Sequence, residues 1–239
     1  MIEENLDKVP VLNHGDGYVA LVERWGSEEA IIRAARMSTD KGFQGWGTSE
    51  APGDEKLLAF LWNNQHSTPF EMAGLTIEVQ APIFVIREWH RHRVPFGYNE
   101  LSARYTPMPD VNYRPTLERC MIGSDGKNKQ AGTIKDAQVL TAKETTQWLR
   151  MLDEYYAQAE SLYQYGLQVG LPKELARVVI PVGRYSRMRA TGNLRGWLSF
   201  LKLRSAPNAQ WEIREYARQV DALIKQEFPR VHALYSETK

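Results

Sequence analysis

Arginine is the residue type through which this sequence points to chemistry, and it gathers in two stretches. Residues 87–104 carry Arg87, Arg91, Arg93 and Arg104 with His90 and His92, offset only by Glu88 and Glu100. Residues 177–204 carry Arg177, Arg184, Arg187, Arg189, Arg195, Lys202 and Arg204 and no acid at all. A planar guanidinium that donates bidentately suits a phosphate or an enolate-like oxygen better than a mobile ammonium does. Either stretch alone reads as a solvated basic face. Two of them, both interleaved with apolar residues, favour a shared anionic ligand. No glycine cradle holds it, because neither GxxxxGK[ST] nor a GxGxxG after a strand is present. His90 and His92, two apart, would point to different faces of a helix, and the flanking arginines repel cations, so no metal site is expected.

The whole chain sets the frame for these residues. Its 239 residues, 43% hydrophobic, suffice to close a sizeable core as one domain spanning 1–239, or as one domain carrying an appended lobe. Lys and Arg total 30 against 29 acids, a formal charge of +1, which argues against a general nucleic-acid or membrane-surface binder. A single cysteine, Cys120, excludes an intramolecular disulfide framework and a cysteine-based zinc cluster, and fits a reducing, cytoplasmic setting. The N-terminus, MIEENLDKVP, is acidic where a signal peptide is basic, and no apolar run approaches the roughly 18 residues of a membrane span.

The elements that must position the arginines follow from periodicity. Residues 17–25 alternate as a strand, and Ser27 with Glu28 and Glu29 opens a helix through residue 35. After a Gly/Ser/Thr-rich loop over 40–53, Leu57, Leu58, Leu61 and Trp62 have helical spacing. Residues 75–80 alternate as a strand, and Pro82 starts a helix running into Arg91. Residues 121–133 read as a mobile loop. A long amphipathic helix over 137–168, marked by Leu140, Trp148, Leu152, Tyr155, Ala159 and Leu162, stops at Gly170, and Pro172 starts a short helix. Residues 182–191 are strand-like, Asn193 caps a helix through Arg204, and Ile213, Tyr216, Val220, Leu223 and Phe228 mark a last helix. The fold class is α+β: a central, mostly antiparallel sheet with long helices and a helix-rich C-terminal half.

Within the first stretch stands Arg91-His92-Arg93, then VPFGY, then Asn99-Glu100-Leu101-Ser102-Ala103-Arg104-Tyr105. This string resembles the RHR…NExSxRY signature of the flavin-dependent thymidylate synthases. Further blocks lie in family order: RAARMS at 33–38, HSTPFE at 66–71, ARVVIP at 176–181, Asn193-Leu194-Arg195, and Leu203-Arg204 followed by AQWEI at 209–213. The resemblance covers residues 17–229.

It implies FAD contacts from Ser38, His66, Thr68, Arg91, His92, Arg93, Glu100, Asn193 and Arg195. It also implies a dUMP site built from Glu88, Arg91, Glu100, Leu101, Ser102, Ala103, Arg104, Arg177 and Arg204, with Arg204, Ser102 and Arg91 closest to the chemistry. The family works as homotetramers with sites shared between subunits, methylates dUMP without a cysteine nucleophile, takes its carbon from methylenetetrahydrofolate and its electrons from NADPH. Three departures stand out. The spacer over 94–101 is one residue longer than usual, Glu88 stands where Gln is common, and Ser199 replaces a common Asn. From the residues alone, His66 also reads as a local cap, Ser102 as a turn hydroxyl, and Arg33 and Arg36 as surface or ion-pair residues. Two other classes stay open: an anion-binding module without a chromophore, and a flavoprotein oxidoreductase with another acceptor.

Overall fold

A computed structural model describes residues 5–12, 15–48, 50–121 and 140–238. Strands β1 (Lys8–Val11) and β2 (Gly17–Trp25) lead into helix α1 (Glu28–Arg36), which Ser27 caps by accepting from the Ala30 amide at 3.1 Å. Next come α2 (Glu55–Asn63), β3 (Gly74–Pro82), α3 (Ile83–Trp89), β4 (Gly97–Glu100) and a short α4 (Leu117–Met121). The C-terminal half holds α5 (Ala142–Gln168), α6 (Lys173–Ala176), β5 (Tyr185–Asn193), α7 (Leu194–Arg204), α8 (Trp211–Glu227) and α9 (Pro229–Glu237). The α+β expectation is met, with helices dominating after residue 140. The mobile-loop reading of 121–133 falls almost wholly outside the described residues, and Met121 itself ends α4.

The sheet runs β1-β2-β3-β5-β4 and every pairing among the described residues is antiparallel. At its centre β3 and β5 pair along their whole lengths, Gly74 opposite Asn193 and Pro82 opposite Tyr185. Period 2 then assigns the faces: Leu75, Ile77 and Val79 of β3 join Met188 and Ala190 of β5 in the core, while Arg187, Arg189 and Thr191 face outward. Helices α3, α7 and α8 cover the inner face through Trp89, Trp197, Phe200 and Tyr216, whose rings meet within 6.5 Å.

Two connections matter for function. β3 passes directly into α3, and β5 passes directly into α7 through Asn193, which is both the last strand residue and the helix cap. Their strands being antiparallel, the two helices start from opposite ends of the sheet. Eleven residues at 1.5 Å per residue carry α7 back about 16 Å, so its C-terminus arrives beside the end of α3.

Four elements escaped the periodicity reading, among them the five-residue α4. β4 is only four residues, α9 is separated from α8 by Phe228 and Pro229, and β1 lies in what reads as a polar leader. The long helix begins at Ala142, after Thr141 forms a capping box with Glu144. The residues marking its stripe mostly face outward, contrary to the plain expectation for an amphipathic helix: Leu140, Trp148, Tyr155 and Leu162 are exposed. The chain's own contact is made by Thr145, Leu149, Tyr163 and Gly166 together with Ala159, the marker residue that is buried.

Candidate active site

The meeting of α3 and α7 brings together three of the expected site residues. Arg204, the last residue of α7, donates from Nη1 to Glu88 Oε2 at 2.5 Å and from Nη2 to the Glu88 carbonyl at 3.0 Å. Its Nε donates to His92 Nε2 at 2.8 Å. Glu212, the nearest acid after Arg204 in the chain, is instead occupied by Arg119, Tyr113 and Gln210. The His92 ring lies edge-on to Phe200 and Phe96 at 5.0 and 6.2 Å. Burial, reinforced by the Arg204 charge, pushes the His92 pKa down to about 4. At neutral pH the imidazole is uncharged.

The loop between α3 and β4 is pressed onto the start of α7. A Cβ at Gly196 would lie 2.5 Å from the Pro95 ring, and one at Gly192 would lie 2.7 Å from Phe96, so glycine permits both approaches. Tyr98 fixes the loop from beneath, donating to the carbonyls of Trp89 and His92 at 2.9 Å each. Arg91 and Arg93 are exposed and form no ion pair among the described residues.

Further along, Glu100 accepts from Ser186 Oγ at 2.6 Å and stands 4.0 Å from His90 Nε2. Leu101 continues the β4–β5 pairing by donating to the Arg187 carbonyl at 2.8 Å. Ser102 does act as a turn residue: its Oγ accepts from the Arg104 amide, and its carbonyl accepts from Tyr105 and Thr106. Ala103 is buried beneath this turn, and the Arg104 guanidinium lies 5.4 Å from the Tyr105 ring. Lys173 Nζ donates to the Tyr105 carbonyl at 2.9 Å, which ties α6 to the turn. Arg177, at the C-terminal cap of α6, is exposed and unpaired among the described residues. Neither Lys173 nor its role was visible from the sequence, because only the tertiary contact gives it one.

Two of the remaining residues, His66 and Arg195, meet at a different place. His66, Ser67 and Arg195 line a cleft of about 790 Å³ between α2, α7 and α9, with Trp62, Phe70, Leu198, Leu201 and Tyr235 as apolar walls. No carboxylate lines it, while Lys202 adds a second cation. The His66 ring is exposed, edge-on to Phe60 at 5.6 Å, so it is not locked in a local cap. Thr68 opens the short 3-10 turn at its side, whose Glu71 binds Arg195 at 2.6 Å. Asn193 commits its side chain to the α7 cap, accepting from the Gly196 amide at 2.9 Å. Ser38 is exposed in a separate 3-10 turn, donating to the Ala35 carbonyl at 3.1 Å, and lines none of these places. Arg33 and Arg36 are taken up by Glu29 and Asp54, as their ion-pair reading requires.

The fold thus separates the expected residues, Ser38 apart, into three groups. Within them, unpaired guanidinium groups at Arg91 and Arg93 and a carboxylate-free cleft with aromatic walls fit an anionic ligand with a planar ring system, the chemistry of a flavin dinucleotide.

Comparison with known proteins agrees with that chemistry. The family model described as thymidylate synthase complementing protein matches residues 20–230. A flavin-dependent thymidylate synthase of Thermus thermophilus is 36% identical over 96% of this chain and 78% of its own. That of Thermosipho africanus is 35% identical over 89% of this chain and 88% of its own. A crystal structure of the UMP/dUMP methylase PolB from Streptomyces cacaoi, bound with 5-Br dUMP, superposes with a TM-score of 0.81 at 31% identity, covering 93% of this chain and 95% of that one. The same enzyme bound with 5-Br UMP gives 0.78.

Proposed function

Because the chain belongs to the flavin-dependent thymidylate synthase family, we propose that it converts dUMP to dTMP, using methylenetetrahydrofolate as carbon donor and NADPH as reductant. The observation that carries this reading within the molecule is the Arg204 fork. Each of its nitrogens already makes one bond to His92 or Glu88, and Nη1 and Nη2 each keep one N–H for a ligand. Spare N–H groups on a guanidinium whose side chain is 16% exposed are the donors that a pyrimidine carbonyl needs if negative charge is to build on the ring.

Methylating carbon 5 of uracil requires electron density there, which a thiolate supplies in cysteine-dependent chemistry. Cys120 is unsuited, since burial raises its pKa and it lies on α4 outside the three groups. Bound FAD supplies the redox chemistry in its place. On this reading Arg91, His92, Arg93 and Arg195 hold the flavin, with Ser38, His66, Thr68, Glu100 and Asn193 around it. Ser102, Arg104 and Arg177 take the dUMP phosphate, backed by Leu101 and Ala103, while Arg204 and Arg91 face the pyrimidine.

The three-group arrangement also favours a site completed between subunits, and we extend the proposal to a homotetramer. Support comes from the exposed stripe of α5, where Trp148, Met151, Tyr155, Leu162, Tyr165 and Val169 follow the alternating three- and four-residue spacing of a helix-pairing seam. Light scattering gives the assembly size, and a monomer with full turnover would overturn this part. Among the described residues no helix is long and apolar enough to cross a membrane, and a cytoplasmic setting completes the reading.

The deciding experiment measures tritium release from dUMP labelled at carbon 5. Purified protein should carry a flavin released on denaturation, and should liberate tritium only when folate donor and NADPH are both present. Flavin without tritium release would favour a flavoprotein with another acceptor. Absence of any chromophore would favour a simple anion-binding module. UMP belongs in the same assay, since the PolB structure is also described with a UMP analogue.

A further inference from the structure

The contact between Arg204 and His92 carries more information than its length. A guanidinium Nε bears a hydrogen and no lone pair, so at 2.8 Å it can only donate, and His92 Nε2 must accept. An imidazole accepting at Nε2 carries its one proton on Nδ1. The geometry therefore selects one of the two neutral tautomers and disfavours the doubly protonated ring.

Arg204 can impose this only if it is itself held. Glu88 does the holding twice, with its carboxylate on Nη1 and its backbone carbonyl on Nη2, so the guanidinium plane is clamped from two directions. The backbone carbonyl would survive any substitution, but it constrains one nitrogen alone. Phe96 and Phe200 flank the ring and oppose a flip that would exchange its nitrogens.

We propose that Glu88 is a positioning residue: through Arg204 it fixes His92 as the neutral Nδ1–H tautomer, so that the groups assigned to pyrimidine and flavin are set by one clamp. This rests on the dUMP and flavin reading above for its purpose, though not for its geometry. In that setting His92 offers a hydrogen-bond donor rather than an acceptor from its remaining nitrogen. A ligand drawing on Arg204 would be sensed at His92 without any backbone movement.

The test uses protein labelled with ¹⁵N in histidine, without added ligands, with the His92 signals assigned by their loss in His92→Gln. Imidazole nitrogen shifts and long-range couplings read the tautomer directly. Wild type should show His92 neutral with Nδ1 protonated. Glu88→Gln, whose amide oxygen can accept from Nη1, should keep that pattern, whereas Glu88→Ala should give a tautomer mixture. A second readout is the dUMP titration of FAD-loaded protein: at least a tenfold weaker response in Glu88→Ala, recovery in Glu88→Gln, and equal flavin content in all. Nε2 protonation in the wild type, or an unchanged tautomer in a folded Glu88→Ala, would overturn the proposal. Wild-type protein that binds neither FAD nor dUMP would sink the functional reading instead, and the tautomer of the ligand-free protein would still decide the role of Glu88.

Discussion

Arg184 and Arg204 come from the same acid-free stretch, yet the fold puts them to opposite uses. Arg184 is fully buried and commits its guanidinium to its own chain: Nη2 meets Glu160 of α5 at 2.6 Å, and Nη1 meets the Pro109 carbonyl at 2.8 Å and Asp110 at 3.2 Å. It pins α5 and the 107–112 segment to the edge of the sheet. Arg204 is also partnered, but at a partly open junction, by one carboxylate and a neutral imidazole, with two N–H groups left over. An arginine whose counter-charges come from distant segments and whose leftover donor, Nε, is buried away from solvent is part of the framework. One that keeps donors at a surface is available to a ligand.

The largest expected effect follows from removing the framework member. Arg184→Ala leaves Glu160 beside a buried cavity without its counter-charge, and losing one partner of a buried pair costs about 3–5 kcal/mol. Chemical denaturation should read that loss, and α5 should become the most protease-sensitive helix. A drop below about 1 kcal/mol, the range of a surface pair, would mean that the two arginines do not differ in the way described.

Next in size is Arg204→Ala, where the effect should move from stability to binding. A hydrogen bond to a charged group contributes about 1.5–3 kcal/mol, so dUMP affinity should fall roughly 10- to 150-fold, while the melting temperature changes little because Glu88 can reach water. Arg204→Lys keeps the charge and loses the planar fork, so it should recover only part of the loss. Unchanged dUMP affinity with lower stability would move Arg204 into the framework class beside Arg184.

The division between these classes is where the sequence falls silent. Helix and strand positions were legible wherever a buried face imposed a period: 17–25, the Ser27 cap, the Asn193 cap and α8 all emerge at their expected places. Short elements were not, because the four residues of β4 are too few for a period to appear, and their pairing depends on β5, about ninety positions away in the chain. The burial of α5 was not legible either. Its apolar residues occupy two adjacent stripes, and a sequence does not say which of them meets its own chain. Candidate site residues follow from motif order, but their partners do not. That Glu88 holds Arg204 and that Glu160 neutralises Arg184 are facts of tertiary distance. The acid-free appearance of 177–204 is a local impression alone, since its acids arrive from α3, from α5 and from the turn before β3.

The smallest expected effect tests the comparison from the other side, at an arginine beside the sole thiol. Arg119 precedes Cys120 and would activate it if its charge were free, since a neighbouring cation lowers a thiol pKa. Its Nε instead donates to Glu212 at 2.9 Å, and its guanidinium lies 5.5 Å from the Trp211 ring. Burial outweighs the pull of Arg119 and Arg114, and the Cys120 pKa rises above its ordinary value. The thiol therefore stays protonated at neutral pH and makes a poor nucleophile. Cys120→Ala removes one partly exposed sulfur and should change stability by no more than about 0.5 kcal/mol. Tritium release from labelled dUMP should remain within twofold of wild type. A loss of a hundredfold or more, with flavin content and melting temperature intact, would show that Arg119 is not a framework arginine at all and that the chemistry runs through a thiol.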